Sequence, residues 1–204
     1  YLPISFSLLV LLCTCDLVHI YFYTVCLFLY LCSYLNKRGN FMDGLEMLFT
    51  RRSIRAFKKQ PVDDEKIKNI IKAGKLAATA RNVQPCEMIV VKNLELLNQL
   101  SDIAETGRFI KDGDTCIVLF SKDTKYYLED GSAATQNMLL AARYYNIGSC
   151  WIAGDKKPYA DEIRKLLNMS SDESKLICLI ALGYPLSENE FREKRIFNKD
   201  YKVL

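Results

Sequence analysis

The stretch Thr115–Gly154 reads TCIVLFSKDTKYYLEDGSAATQNMLLAARYYNIGSCWIAG. Its opening, Thr115–Ser121, is a continuous apolar run, as expected for a strand covered on both faces. Leu128–Tyr145 then reads as the longest helix of the chain. Ala133, Ala134, Ala141 and Ala142, with Met138 and Leu139, suit it to close contact. Gly148 ends that region, and Ser149–Ile152 is a short strand. Upstream, Asp43–Thr50 is expected to be helical with Leu45, Leu48 and Phe49 on one side. Asp64–Leu76 is a second helix, capped by Asp63 or Asp64, with Ile67, Ile70 and Ile71 as its apolar face. Glu87–Lys92 is a strand and Leu94–Ile103 a helix. Downstream, Tyr159–Leu167 is a helix, and Leu176–Leu182 (LICLIAL) is a buried strand ending at Gly183-Tyr184-Pro185. The last twenty residues are basic and contain no obvious packed element. Helices and apolar strands alternate, without repeats or long linkers after Met42, so the class is α+β or α/β.

The totals hide a split. The 204 residues hold 28 bases and 24 acids, and half of them are apolar. Residues 1–41 contain only Asp16, Lys37 and Arg38 as charges, leaving 26 bases and 23 acids, a net of about +3, in the rest. That balance is too mild for nucleic acid, which requires a dense basic face. It suits a site for a small anion. Cys13, Cys15, Cys26 and Cys32 lie in the first segment; Cys86, Cys116, Cys150 and Cys178 are spread singly beyond it. No CxxC pair exists, so a zinc ribbon or thioredoxin-like motif is unsupported, and no metal site is expected. The later four are read as small buried hydrophobes in a reducing compartment. The only histidine is His19. From Met42 onward, Ser-His and Cys-His catalysis are therefore excluded, and a cofactor would have to carry any difficult chemistry.

Leu17–Leu35 reads LVHIYFYTVCLFLYLCSYL, free of charge and long enough to span a bilayer, with Lys37 and Arg38 behind it. One reading is an anchor with the remainder in the cytoplasm. The preferred reading is that residues 1–41 are upstream translation, with Met42, the first methionine, opening a cytoplasmic domain over 42–204. Lys37-Arg38-Gly39 can be encoded by a purine-rich stretch where a ribosome-binding site would lie.

Four segments could carry chemistry. Arg51-Arg52-Ser53-Ile54-Arg55 sets three guanidinium groups and a hydroxyl just past a helix end, a good phosphate clamp; the bland alternative is a solvated basic helix terminus that complements the dipole. In Ala78-Thr79-Ala80-Arg81-Asn82-Val83-Gln84-Pro85 small residues let backbone approach a flat ligand, while Asn82 and Gln84 offer donors and acceptors; the bland alternative is an ordinary helix–strand connection. Gly148–Gly154 (GSCWIAG) permits close approach of Ala153 and Gly154, with free strand-end amides facing a ring; alternatively, it is a glycine-terminated helix and a core strand holding Trp151. Arg192-Glu193-Lys194-Arg195 could close over a phosphate, or be a solvated tail. A G-x-G-x-x-G loop and a Walker A loop are both absent, which disfavours Rossmann enzymes and P-loop NTPases.

These segments, in this order, resemble the nitroreductase family of FMN enzymes over about Leu45–Arg195. RRSIRAF is similar to the family's RRSxRxF opening. TARNVQP is similar to its P-S-x-x-N-x-Q-P-W stretch. DGSAATQNMLLAA resembles its long-helix signature, IGSCWIAG its G-x-G-S-C-W-I-G turn, and ALGYP followed by REKR its C-terminal end. The resemblance implies an intertwined homodimer with a mixed, mostly antiparallel sheet flanked by helices, and FMN at the interface. Arg51, Arg52, Ser53 and Arg55 would hold the phosphate and ribityl chain, assisted by Lys194 and Arg195. Ala78, Thr79, Ala80, Asn82 and Gln84 would serve the partner's flavin, and Ala153 and Gly154 would approach the ring. Three departures change the pocket wall: Ala78 stands for the usual Pro, Thr79 for Ser, and Cys86 for Trp. The implied reaction is ping-pong, from NADH or NADPH through flavin N5 to a small-molecule acceptor such as a nitroaromatic or quinone, with no catalytic side chain. Dehalogenation, flavin cleavage, azoline oxidation and a non-catalytic flavin-binding dimer are the alternatives.

Overall fold

The computed structural model describes residues 42–169 and 174–193. The readings made for residues 1–41, and for Lys194 and Arg195, lie outside them. Among the described residues no helix is long and apolar enough to cross a membrane.

The elements follow the order α1 (Gly44–Thr50), α2 (Asp64–Lys75), β1 (Cys86–Val91), α3 (Leu94–Ile103), β2 (Thr115–Lys122), α4 (Tyr127–Tyr144), β3 (Gly148–Ala153), α5 (Ala160–Leu166) and β4 (Ser174–Gly183). The strands form one antiparallel sheet in the order β1-β2-β4-β3. The expected parallel component appears only as an isolated bridge between Ser53 and Ser149.

β2 and β4 are central, and their side chains alternate between two cores. On one face Val118, Phe120, Leu179 and Ala181 pack with Leu97 and Leu100 of α3 and Ile163 of α5. On the other, Ile117, Leu119, Ile180 and Leu182 pack with Ile67 and Ile70 of α2 and Ala134, Met138 and Ala142 of α4. Apolar side chains on both faces explain the unbroken apolar runs. Close approach of α4 to the sheet depends on small side chains. A Cβ on Gly131 would stand 2.8 Å from Ile177 Cγ1, and one on Gly74 of α2 would stand 2.8 Å from Met138 Cγ.

Helix ends depart from the glycine expectation. Asn146, at φ 55°, takes the left-handed position after α4. Ile147 N–H then donates to Ala142 O (2.9 Å), and Asn146 N–H to Arg143 O (2.9 Å). This is a Schellman cap with asparagine in place of glycine. Gly148 instead lies inside β3, paired with Gly183. A Cβ on Gly148 would meet Ile54 Cγ2 at 2.9 Å, and one on Gly183 would meet the Phe57 ring at 2.9 Å. The two glycines leave the room through which the segment after α1 crosses the end of the sheet. Ile54 N–H donates to Ser149 O (3.0 Å) and Phe57 bridges Pro185. Both side chains enter the core.

Leu45, Leu48 and Phe49 share one side of α1 as expected, but each is at least half exposed. Trp151, which could have been a core residue, is 37% exposed. Beyond β4, a short 3-10 turn at Glu188–Glu190 and packing of Phe191 against the first core show more structure than the sequence suggested.

Candidate functional site

The crossing of residues 53–57 determines where the basic cluster lies. Ser53 is held beside Ser149, outside the edge strand β3. Arg51 and Arg55 flank it, close enough that their positive charges, with a Ser53 hydrogen bond, oppose the upward push of burial on the Cys150 thiol. Arg55 also stands 5.8 Å over the Phe109 ring. Among the described residues Arg51, Arg52 and Arg55 enter no salt bridge. Arg52 behaves as the blander reading proposed: it donates to Arg51 O and to Phe49 O (2.8 Å), the exposed carbonyls at the end of α1. Burial, then the charges of Arg51 and Arg192, lower its pKa. Arg192 therefore belongs to the same positive field, in line with the expectation that the Arg192–Arg195 segment could close over a phosphate.

The other end of β3 is fixed by two tyrosines. Tyr159 OH donates to Ala153 O. Tyr127 OH donates to Asp155 Oδ1 (3.0 Å), and that bond is the leading cause of its raised pKa. Ala153 and Trp151 are exposed on the same face of the edge strand. Gly154 corrects the expectation of a free amide: its N–H donates to Ile177 O (3.0 Å). A Cβ there would lie 2.6 Å from Leu176 Cγ. Gly154 is thus required by packing on β4, and only Ala153 presents an open surface. Between Ser149 and Ala153 the strand advances about 13 Å, so a ligand touching both would lie extended along the β3 edge.

The 78–84 segment is a strained loop. Arg81, Asn82 and Gln84 have φ of 54°, 55° and 51°, each in the left-handed region that costs a side-chain-bearing residue roughly 1–2 kcal/mol. The strain is held by polar ties. Gln84 N–H donates to Thr79 Oγ1 (3.1 Å), Gln84 Nε2 to Asn82 Oδ1 (3.0 Å), and Ala80 N–H to Asp130 Oδ1 (2.9 Å). The Asn82 and Gln84 side chains thus bond each other, while Ala78 is exposed and Thr79 and Ala80 half-buried. Asp130, 5% exposed on α4, was missed; a carboxylate within the helix signature DGSAATQN was the available signal. Thr79, Gln84, Cys86, Met88 and Ala134 line a cavity of about 250 Å³. Cys86 is half-buried there, and burial raises its thiol pKa. Cys116, Cys150 and Cys178 are buried, as expected.

Within one chain the two groups do not meet. The basic cluster and Ala153 lie at the β3 edge, and the strained loop leads into β1, at the opposite edge. Three inter-strand spacings, roughly 14 Å, separate those edges.

The chain matches the model of the Nitroreductase family over residues 48–114 and 106–184. It is 36% identical to an Archaeoglobus fulgidus protein provisionally named NADH dehydrogenase/NAD(P)H nitroreductase, over 74% of this chain and 90% of that protein. A solved structure from Parabacteroides distasonis with the same provisional name superposes with a TM-score of 0.71 at 32% identity, covering 76% of this chain and 93% of the other. A Clostridium difficile structure described as an FMN-dependent nitroreductase gives 0.67 at 32% identity, covering 76% and 91%. With a family match across most of residues 48–184 and relatives of this identity and coverage, the chain belongs to the nitroreductase family.

Proposed function

We propose that this chain is an FMN-dependent oxidoreductase that works as a homodimer. The observation carrying the reading is the set of guanidinium groups beside Ser53 that enter no salt bridge among the described residues, the charge of Glu193 acting on Arg52 alone. Clustered like charges are unfavourable unless an anion balances them, and arginine's planar fork matches phosphate oxygens. Arg51, Ser53 and Arg55 would hold the FMN phosphate and ribityl chain, with Arg192, Lys194 and Arg195 adding positive potential. Ala153 would approach the ring. Arg52 and Gly154, already engaged, would shape the site through Arg51 and through β4. Ala78, Thr79, Ala80, Asn82 and Gln84 would reach the flavin held by the partner subunit. Their position at the far sheet edge, with the exposed Leu45, Leu48 and Phe49, supports a site completed by a second copy.

FMN held there would supply redox chemistry at N5, between NADH or NADPH as donor and a nitroaromatic, quinone or similar acceptor in a ping-pong cycle. The chain's own contribution is position, exclusion of water and positive charge near the cofactor. None of the described residues is histidine, which agrees with chemistry carried by the cofactor. The buried free thiols suit a reducing cytoplasm. Purified protein is expected to be yellow, to migrate as a dimer, and to consume NADH or NADPH with nitrofurazone or menadione. A colourless monomer that takes up no added FMN would refute the proposal.

A further inference from the structure

At the Gly148 end of β3, away from Ala153, lies a cavity of about 530 Å³ lined by Lys58, Gln60, Lys66, Arg143, Tyr184 and Phe191, among others. Three separate elements bring cations to it. Lys58 N–H donates to Tyr184 O (2.8 Å), which pins the crossing segment beside the end of β4. Lys66, on α2, donates from Nζ to Tyr184 OH (3.0 Å) and stands 5.5 Å over that ring. Arg143, on the last turn of α4, is 6% exposed. Its Nε donates to Thr50 Oγ1 (2.8 Å), its Nη1 to Asn146 Oδ1 (2.5 Å), and its face lies 4.2 Å from the Phe191 ring centroid.

The compensation is incomplete. Glu46, half-exposed, is 3.9 Å from Arg143 Nη2, and it is the one carboxylate paired with any of the three cations among the described residues. Lys58 and Lys66 form no ion pair there. The cavity therefore carries an excess of about two positive charges. Burial lowers the pKa of Arg143, the cost expected of a guanidinium held partly out of water. The volume lies within the range of small-molecule pockets and exceeds what inorganic phosphate needs. Tyr145, Tyr184 and Phe191 add ring surface to the walls.

We propose that this cavity is a second anion site, separate from the Arg51–Arg55 cluster, that binds an aromatic phosphate monoester of the nucleoside monophosphate class. The two excess charges match a phosphate-monoester dianion, the lysines and Gln60 supply donors, and the rings receive the base. This inference stands on the cavity alone and is independent of the flavin reading. Two sources share the chemistry: a free nucleotide, and the adenosine 2′-phosphate portion of NADPH.

The test is calorimetric titration of AMP into the purified protein saturated with FMN, repeated with Lys58→Gln/Lys66→Gln. Expected is saturable binding of one AMP per chain, displaced by inorganic phosphate and weakened roughly tenfold or more in the double variant. Flavin content should be unchanged, since neither lysine belongs to the Arg51–Arg55 cluster, and thermal melting checks that the double variant, which loses the Lys66–Tyr184 contacts, is still folded. If NADPH competes with AMP and the double variant raises KM for NADPH but not NADH, the electron donor's phosphate is the source; without competition it is a free nucleotide. Absence of AMP binding, equal affinity in the folded double variant, or AMP binding only when FMN is removed would overturn the proposal. The last result would place AMP in the flavin cluster instead.

Discussion

Gly154 shows how closely side chains decide this fold at the scale of single residues. The sequence allowed two reasons for a glycine after β3, access for a flat ligand or tight packing, and the structure selects packing on β4. Gly154→Ala should therefore destabilise the protein by about 1–3 kcal/mol, read as a lower urea midpoint with an unchanged m-value. A stability equal to the wild type would return the glycine to a ligand-access role. Cys178 gives a pH prediction. Burial pushes its thiol up to about 12, opposed by a hydrogen bond with Thr135. An unfolded thiol ionises near pH 8.5, so above that pH the unfolded chain loses a proton that the folded chain keeps. The stability due to this group is complete below about pH 8.5 and is lost as pH rises toward 12. Cys178→Ala should flatten that alkaline decline in denaturant titrations while lowering stability at neutral pH. An unchanged alkaline slope would assign the decline to other groups.

At the scale of elements, most of the fold could be read from the chain because each element carries its own periodicity. α3 begins and ends where expected, and the central strands are recognisable because both faces are apolar. Boundaries elsewhere move by a residue or two, as helix ends do. What could not be read is long-range. Nothing local to Gly148 and Gly183 announces that Ile54 and Phe57 cross above them, and nothing in Asn146 marks it, rather than Gly148, as the helix cap. The site shows the same division. The arginines, Thr79–Gln84 and Ala153 were legible as residue types, whereas the left-handed turns at Arg81, Asn82 and Gln84, in a loop tied to a carboxylate far along the chain, were not. Asp130 joins α4 to that loop by accepting the Ala80 N–H. Asp130→Ala should remove about 1 kcal/mol, weaken FMN binding and leave α4 intact. Asp130→Asn keeps an acceptor and should restore both stability and affinity. Wild-type flavin affinity in Asp130→Ala would show that the loop does not reach the cofactor.

For the whole molecule, the arrangement across the sheet matters most. One edge carries guanidinium groups that form no salt bridge among the described residues, and the other carries a strained loop pinned from α4. Under the proposed function, a chain acting alone would leave both groups half-used. Two copies can bring the loop of one to the cluster of the other, and the exposed apolar side of α1 supplies surface for such pairing. The family to which the chain belongs defines its fold; its activity and assembly are the functional claim that experiment must decide. The most direct measurement is the flavin dissociation constant, followed by absorbance and fluorescence, for the wild type and for Arg51→Ala/Arg55→Ala, with folding checked by thermal melting. The account predicts a stably folded double variant whose affinity for FMN falls by about a hundredfold, two charge-assisted contacts having been lost, with riboflavin, which lacks the phosphate, affected far less. A folded double variant that binds FMN as tightly as the wild type would contradict it.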